Sequence, residues 1–446
     1  MKNFFKHIFR RKAALLITLL ITVIILSNLK LFWLSFASLY YFAAGFISGA
    51  GTEPDYFYIE RWLGAVYLLV CLFVSIGLLS GKLKQRRQIK NFFIEKILKE
   101  ISRNYRFRYA LLFIFMVIST GIIAPFITSK DPFEINSLAV TKYLPPLSSA
   151  KYIEHNALRF DAGSFSYIQT DDPLIRIKQE LNTGAKKIYY DSISVTSNSL
   201  VLHQGSMKKE LPPYSIDLEK AVTGSDTFLL GTDAYGRDVL TRIVYGARVS
   251  LGIAAIASLT ALLLGVILGL LSGYLGGIVD GIIMRSTDIF LSFPVIFLLL
   301  LIVGVFGSSF MFIAIFLGFT FWMDVARLTR GQVMTVKKEQ YVVSARASGL
   351  SSFRILIRHI LPNVITPIII NVAFKIGIVI LMESALSFIG IGVSEPIPSW
   401  GSIINSGKDS LISAWWISFF PGAAITLMVI LFNYLGDVLR DIIKIK

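Results

Sequence analysis

The chain has 446 residues, 54% of them hydrophobic and only 16% charged, with a formal charge of +16. A soluble domain carries about 25% charged residues and lacks apolar runs of ~20, so the several such runs here exclude a soluble globular protein. The single cysteine, Cys71, excludes an intrachain disulfide framework and a Cys-based metal site, and His7, His155, His203 and His359 are scattered without ligand spacing.

Residues 1–12 carry five Lys/Arg and no acid, and an apolar run follows them. No small-residue cleavage site stands before Lys30, so 13–30 reads as a retained signal anchor. A second apolar run, 31–50, leads to the polar GTEPDYFYIE and then to a span at 62–80. Residues 82–108 carry ten Lys/Arg against two acids. Positive charge beside spans marks the cytoplasmic side, which puts both the N-terminus and this linker inside. An even number of crossings must separate them. Spans at 13–30 and 62–80 satisfy this, with 31–50 expected to extend a helix or lie at the outer interface. Residues 1–81 thus form N-terminal spans and 82–107 a basic cytoplasmic linker.

RYALLFIFMVISTGIIAPFIT, residues 108–128, is the next span and runs outward. Residues 129–228 differ in kind. They hold polar turns such as TDDP and NTG and the β-like stretch KIYYDSISVTSNSLVLHQG. So long an insert between spans is expected to be a small domain, here extracytoplasmic and partly β. Residues 129–245 carry thirteen Lys/Arg and fourteen acids, so the excess charge lies beside the spans and orients the chain rather than binding nucleic acid.

Residues 229–446 open with a polar turn containing Gly231, Asp233, Gly236, Arg237 and Asp238. Its glycines permit tight backbone, and its charges can pair locally or meet an external partner. Spans are expected at 249–272, 279–306, 309–328, 364–390 and 415–435. Gly265, Gly269, Gly273 and Gly277 recur every fourth residue, the spacing that lets membrane helices pack closely. Glu383 and Lys375 lie within one span. An intramembrane ionisable group faces a cavity or a partner, so these two are candidates for a translocation pathway or, for Glu383, a bond between helices.

The segment 335–362 lies between two spans and is cytoplasmic by alternation. It includes most of YVVSARASGLSSFRILIRHILPN, residues 341–363. Two short helices are expected at 338–348 and 351–360, hinged at Gly349, which can take the positive φ of a sharp C-cap. Pro362 is expected to end the second helix and start the next span. Ala345, Ala347 and Ser348 leave little bulk, so a partner's backbone could come close. By residues alone this is a helical knuckle or a loop made basic for topology.

The segment resembles the EAA loop of ABC-importer permease subunits, whose pattern is Glu-Ala-Ala, three residues, Gly, nine residues, Ile-x-Leu-Pro. Val343, Ser344 and Ala345 stand at the Glu-Ala-Ala positions, Gly349, Leu361 and Pro362 match, and His359 replaces Ile. GTDAYGRDVLTRIVYGARVSL (231–251), ESALSFIGIGVSEPIPSWGSIINSG (383–407) and NYLGDVLRD (433–441) resemble the oligopeptide/dipeptide/nickel branch, and within it the C-type subunit of oligopeptide permeases. The resemblance covers roughly residues 225–446.

That resemblance implies an all-α polytopic fold: a six-helix importer core from residue 108, about two N-terminal spans and the inserted domain. It implies a bacterial inner-membrane subunit with both termini cytoplasmic, paired with a second, B-type permease subunit. One of two ABC ATPases would dock on the loop at Ser344, Ala345, Arg346, Ala347, Gly349, Leu361 and Pro362, the other on the partner permease, and an extracytoplasmic binding protein would deliver substrate. Arg346, Arg354 and Arg358 would serve as ATPase contacts or as topogenic charge. ATP and Mg would bind the partners. No G-x-x-x-x-G-K-[ST] occurs in this chain, and SGKDS (406–410) lacks its upstream glycine. The cargo implied is oligopeptides or dipeptides, with nickel chelates or another small solute as the alternative. A membrane-anchored sensor or scaffold built on 129–228 is the rival class.

Overall fold

The computed structural model describes residues 19, 21–26, 28, 64–71, 105–128, 130–133, 138–155, 186–196, 199–205, 207–211, 222–393 and 395–444. The run 31–50, most of the linker 82–107 and much of the expected spans 13–30 and 62–80 lie outside the described residues. The chain forms two compact units, one of residues 1–88, 119–245 and 412–417, the other of 89–118, 246–411 and 418–446.

In the first unit, Ile21, Ala65, Leu68, Ile123 and Phe126 form one apolar core. Asn28 Nδ2 donates to the Phe126 carbonyl at 2.9 Å. The described residues of the N-terminal segments are thereby packed on the chain that follows the helix α1, Tyr105–Ile122.

Among its described residues the insert forms six strands: β1 Ser148–His155, β2 Lys186–Tyr190, β3 Ser192–Thr196, β4 Ser199–Gln204, β5 Met207–Leu211 and β6 Val222–Phe228. They make two three-stranded antiparallel sheets, ordered β2-β1-β6 and β3-β4-β5. Alternation along a strand sends neighbours to opposite faces. Ile153, Ile188 and Tyr190 thus join Leu202 in one core, while Ala150, Tyr189 and Phe228 form another. The β-like stretch noted in the sequence is β2 to β4. β1 and β6 are the two ends of the insert, paired with Ser148 opposite Phe228, and they carry no local signal.

The second unit is helical. Its elements are α2 Val239–Leu275 (from residue 246), α3 Gly277–Ser292, α4 Val295–Phe306, α5 Phe310–Val336, α6 Gln340–Ala347, α7 Ser352–Ile355, α8 Leu361–Ile389, α9 Trp400–Ser406 and α10 Trp416–Lys444 (from residue 418). Among the described residues four helices are long and apolar enough to cross a membrane, or five with the bent pair α3–α4 counted as one span. α1 is a shorter apolar helix.

Three expectations need correction. The span at 279–306 is not one helix: α3 and α4 meet at 88°. Pro294 caps α4, and a proline forces the residue before it out of helical geometry. Gly277 does not share the packing face of the other three glycines. It starts α3 at φ +56° with open space around it. Pro362 does not separate two helices: Ser352–Ile389 runs as one 38-residue helix. Pro362 sits in the first turn of α8, after a π-helical turn at Leu356–Ile360. A π turn widens the helix where the proline ring would otherwise press on the carbonyl four residues back.

The other glycines do pack helices. A Cβ on Gly265 would lie 2.5 Å from Val325, on Gly269 2.5 Å from Thr329, and on Gly273 2.8 Å from Val333. From α5, Gly318 meets Thr260 in the same way at 2.5 Å. Partner numbers rise together, so α2 and α5 are parallel. The chain between them must therefore return the whole way, which the bent α3–α4 pair does. Gly269→Val puts three heavy atoms into this seam. Overpacking of this kind destabilises by about 1–3 kcal/mol, and the purified protein in detergent should melt several degrees lower than wild type.

Candidate functional site

The knuckle is built from α6, a turn and α7. Its turn closes with Gly349 N donating to the Arg346 carbonyl at 3.0 Å and Leu350 N to that of Ala345 at 3.3 Å. Gly349 has φ +77° and nothing within 4 Å of its Cβ position. Its conformation, not crowding, therefore calls for glycine. Ser348 Oγ donates back to the Ser344 carbonyl at 2.9 Å.

One face of the knuckle is sunk in the protein's own core. Val342, Ala345, Ile355, Leu356 and Ile360 cluster with Val266, Leu270 and Tyr274 of α2, Val325 and Val333 of α5, and Val364, Ile368 and Val372 of α8. Leu361 packs on the same cluster. The Arg346 guanidinium lies 5.6 Å from the Tyr274 ring, and Lys337 Nζ donates to the Tyr274 carbonyl. The knuckle thus shares one apolar core with three long helices.

The opposite face is open and partly apolar: Phe353 is 75% exposed, Val343 55%, Ile357 46% and Tyr341 44%. Of the loop residues singled out by sequence, Ser344, Arg346, Ala347, Gly349 and Pro362 are on the exposed side. Ala345 is a correction, because it faces inward at 8% exposure and packs on the protein's own core. Sequence reasoning missed Phe353. Its signal was a large aromatic between serines and arginines in an otherwise polar hinge.

Glu383 and Lys375 are not brought together. Glu383 is fully buried. Ser250 Oγ donates to its Oε2 at 3.1 Å and Ser387 Oγ to its Oε1 at 2.8 Å. Ser250 Oγ also accepts from Trp400 N at 3.1 Å. Ser399 caps α9 and approaches Ser387 at 3.4 Å. This is a hydroxyl-lined joint between α2, α8 and α9, in keeping with a bond between helices. Lys375 instead donates to Asp324 Oδ2 of α5 at 2.8 Å. Two further ion pairs follow along α5, Arg327 with Asp288 and Arg330 with Asp280, the latter through two bonds of 2.6 Å. Asp324 was not anticipated, since one carboxylate is averaged away in a 27-residue apolar helix.

The polar turn is a buried staple within the first unit. Asp233 Oδ1 accepts from Tyr235 N at 2.8 Å and Arg237 N at 2.9 Å, and its Oδ2 accepts from Arg237 Nε at 2.8 Å. Arg242 Nε lies 3.7 Å from the same oxygen. Asp238 takes the Thr241 N–H at 2.8 Å and stands 3.5 Å from Lys130. Gly231 (φ +77°) and Gly236 (φ +70°) shape the turn, and a Cβ on Gly231 would lie 2.5 Å from the Leu144 carbonyl. Trp416 Nε1 donates to the Thr232 carbonyl at 3.1 Å. Local pairing engages Asp233, Arg237 and Asp238, and the two glycines serve the turn itself. Among the described residues no group of three His, Cys, Asp or Glu could hold a metal ion.

Residues 265–444 match the family described as binding-protein-dependent transport system inner membrane component. The chain is 39% identical over 216 residues to the oligopeptide transport system permease protein OppC of Escherichia coli, covering 48% of this chain and 72% of that one. It is 37% identical over 247 residues to the dipeptide transport system permease protein DppC of Bacillus subtilis, covering 55% and 74%. A solved inward-facing MetNI methionine ABC transporter matches at TM-score 0.38 and 18% identity, over 45% of this chain and 96% of that one.

Proposed function

The chain belongs to the inner-membrane components of binding-protein-dependent transport systems, and we propose that it is one permease half of an ABC importer for oligopeptides or dipeptides. The supporting observation is the knuckle, open and apolar on one face and fused on the other to α2, α5 and α8. That arrangement suits a surface which a separate motor pushes. One of two ATPase subunits would dock on it from the cytoplasm, the other on the second permease subunit, and the ATPases would bind ATP and Mg themselves. A second permease subunit would complete the pathway, and an extracytoplasmic binding protein would hand over the peptide. The knuckle and both termini would face the cytoplasm of a bacterial inner membrane. The spans before residue 108 and the β insert precede residues 265–444, the stretch that the family model matches, and the insert would lie on the outer side.

The test is uptake of a labelled tripeptide in cells with and without the gene, with labelled nickel in parallel. Peptide uptake should fall at least tenfold on deletion. The wild-type gene should restore it and Gly349→Pro should not, since proline cannot adopt φ +77°. Loss of nickel uptake alone would replace the cargo, and no change in either would remove the peptide reading.

A further inference from the structure

We propose that the side of α5 carrying Asp324 and Arg327, completed by Lys375 of α8 and Asp288 of α3, is the water-facing wall of the translocation pathway. There it presents paired charges of both signs to a zwitterionic substrate. The inference rests on the importer reading.

The glycine seam sets the register. Gly265 meets Val325 and Gly269 meets Thr329, so Leu263 of α2 lies within about one residue of the level of Asp324 of α5. The two side chains are about equally open, Leu263 at 53% and Asp324 at 52%. Their surroundings are opposite. The open stripe of α2 is Leu259, Leu263, Ile267 and Leu271, wholly apolar, as a lipid contact requires. The open side of α5 has Phe312 and Phe319 toward its start and then turns to Asp324 and Arg327. Asp324 lies four residues before residue 328, where the span is expected to reach the cytoplasm, and α5 runs on to Val336. Within a span, a half-open carboxylate belongs in water or against protein.

The three ion pairs are graded. Arg330–Asp280 is the most enclosed, at 33% and 19% exposure, and Asp280 is also held by Ser272. Arg327–Asp288 is half open on both sides. In the third pair Lys375 is 10% exposed and offers Asp324 outward. A peptide's ammonium can share Asp324 with Lys375, and its carboxylate can share Arg327 with Asp288. Because each charge already has a partner, neither end would be held tightly, as passage requires. The Arg330–Asp280 pair is structural.

The experiment uses the whole importer, co-expressed with its partner subunits, in membrane vesicles permeabilised so that both faces are reached. Cys71 is replaced by alanine. Cysteine is placed at Asp324 together with Lys375→Met, so that no lone ammonium stays buried. Asp288→Cys gives a second site and Leu263→Cys the control at about the level of Asp324. The probe is a membrane-impermeant cationic thiosulfonate, which needs a hydrated thiolate to react. Both aspartate sites should label at least tenfold faster than Leu263→Cys, and excess tripeptide during ATP turnover should slow them at least threefold. Labelling no faster than the control at both sites overturns the wall. Fast labelling that tripeptide does not slow, in an importer whose unmodified form takes up that tripeptide, overturns the substrate contact. Fast labelling in an importer that takes up no tripeptide keeps the wall and removes the peptide cargo.

Discussion

Asp233→Ala should leave almost no folded protein in the membrane. Asp233 is completely buried, Arg242 likewise, and Arg237 is 3% exposed. The substitution strips one carboxylate from between two guanidiniums and releases two backbone N–H groups that its Oδ1 accepts. Removing one partner of a buried ion pair destabilises by about 3–5 kcal/mol because the remaining charge stays out of water. Whole domains are stable by only ~5–15 kcal/mol. Asp233→Asn keeps the amide-accepting oxygen but not the charge and should fall between the two. Membrane-inserted protein, quantified by immunoblot and by size-exclusion profile in detergent, would separate the three. An alanine variant as abundant and monodisperse as wild type would remove the staple as a source of stability.

Phe353→Asp should do the reverse, abolishing uptake while leaving the subunit folded. Phe353 is three-quarters exposed, so its loss opens no cavity. A large aromatic at the centre of a docking surface typically contributes ~2 kcal/mol or more, and a carboxylate in its place must also be desolvated. Substrate uptake is expected to drop at least thirtyfold, with normal subunit levels and loss of co-purified ATPase. Val342→Asp, next to the open Val343 but itself fully buried, should instead unfold the knuckle. Normal uptake by Phe353→Asp would move the docking edge elsewhere.

Local patterns made part of this legible. The spacing of Gly265, Gly269 and Gly273 is a helix-face period, and three of the four glycines do pack. The fourth fails because the helix has already ended at Leu275, a boundary that hydropathy does not mark. The hinge at Gly349 was legible because positive φ is a property of one residue. The fate of Ala345 was not, since facing inward depends on Val266 and Leu270 of another helix. The Glu383 joint draws on Ser250, 133 positions away, and no local pattern announces such a pairing. Asp324 was hidden by averaging. What was legible, then, was periodic or confined to one residue, and what was missed needed a partner from afar.

The unbroken helix from Ser352 to Ile389 restricts the length of this segment. Surface loops commonly absorb inserted or deleted residues, because their ends are tied only loosely to the elements they join. Here one residue added between Ile355 and Val364 would turn Phe353 by about 100° around the helix axis and carry it ~1.5 Å further out. The apolar edge would then face where Ser352 now does. A four-residue addition would nearly restore the angle while lengthening the arm by ~6 Å. Chains that share this arrangement should therefore vary in composition through the knuckle far more readily than in length.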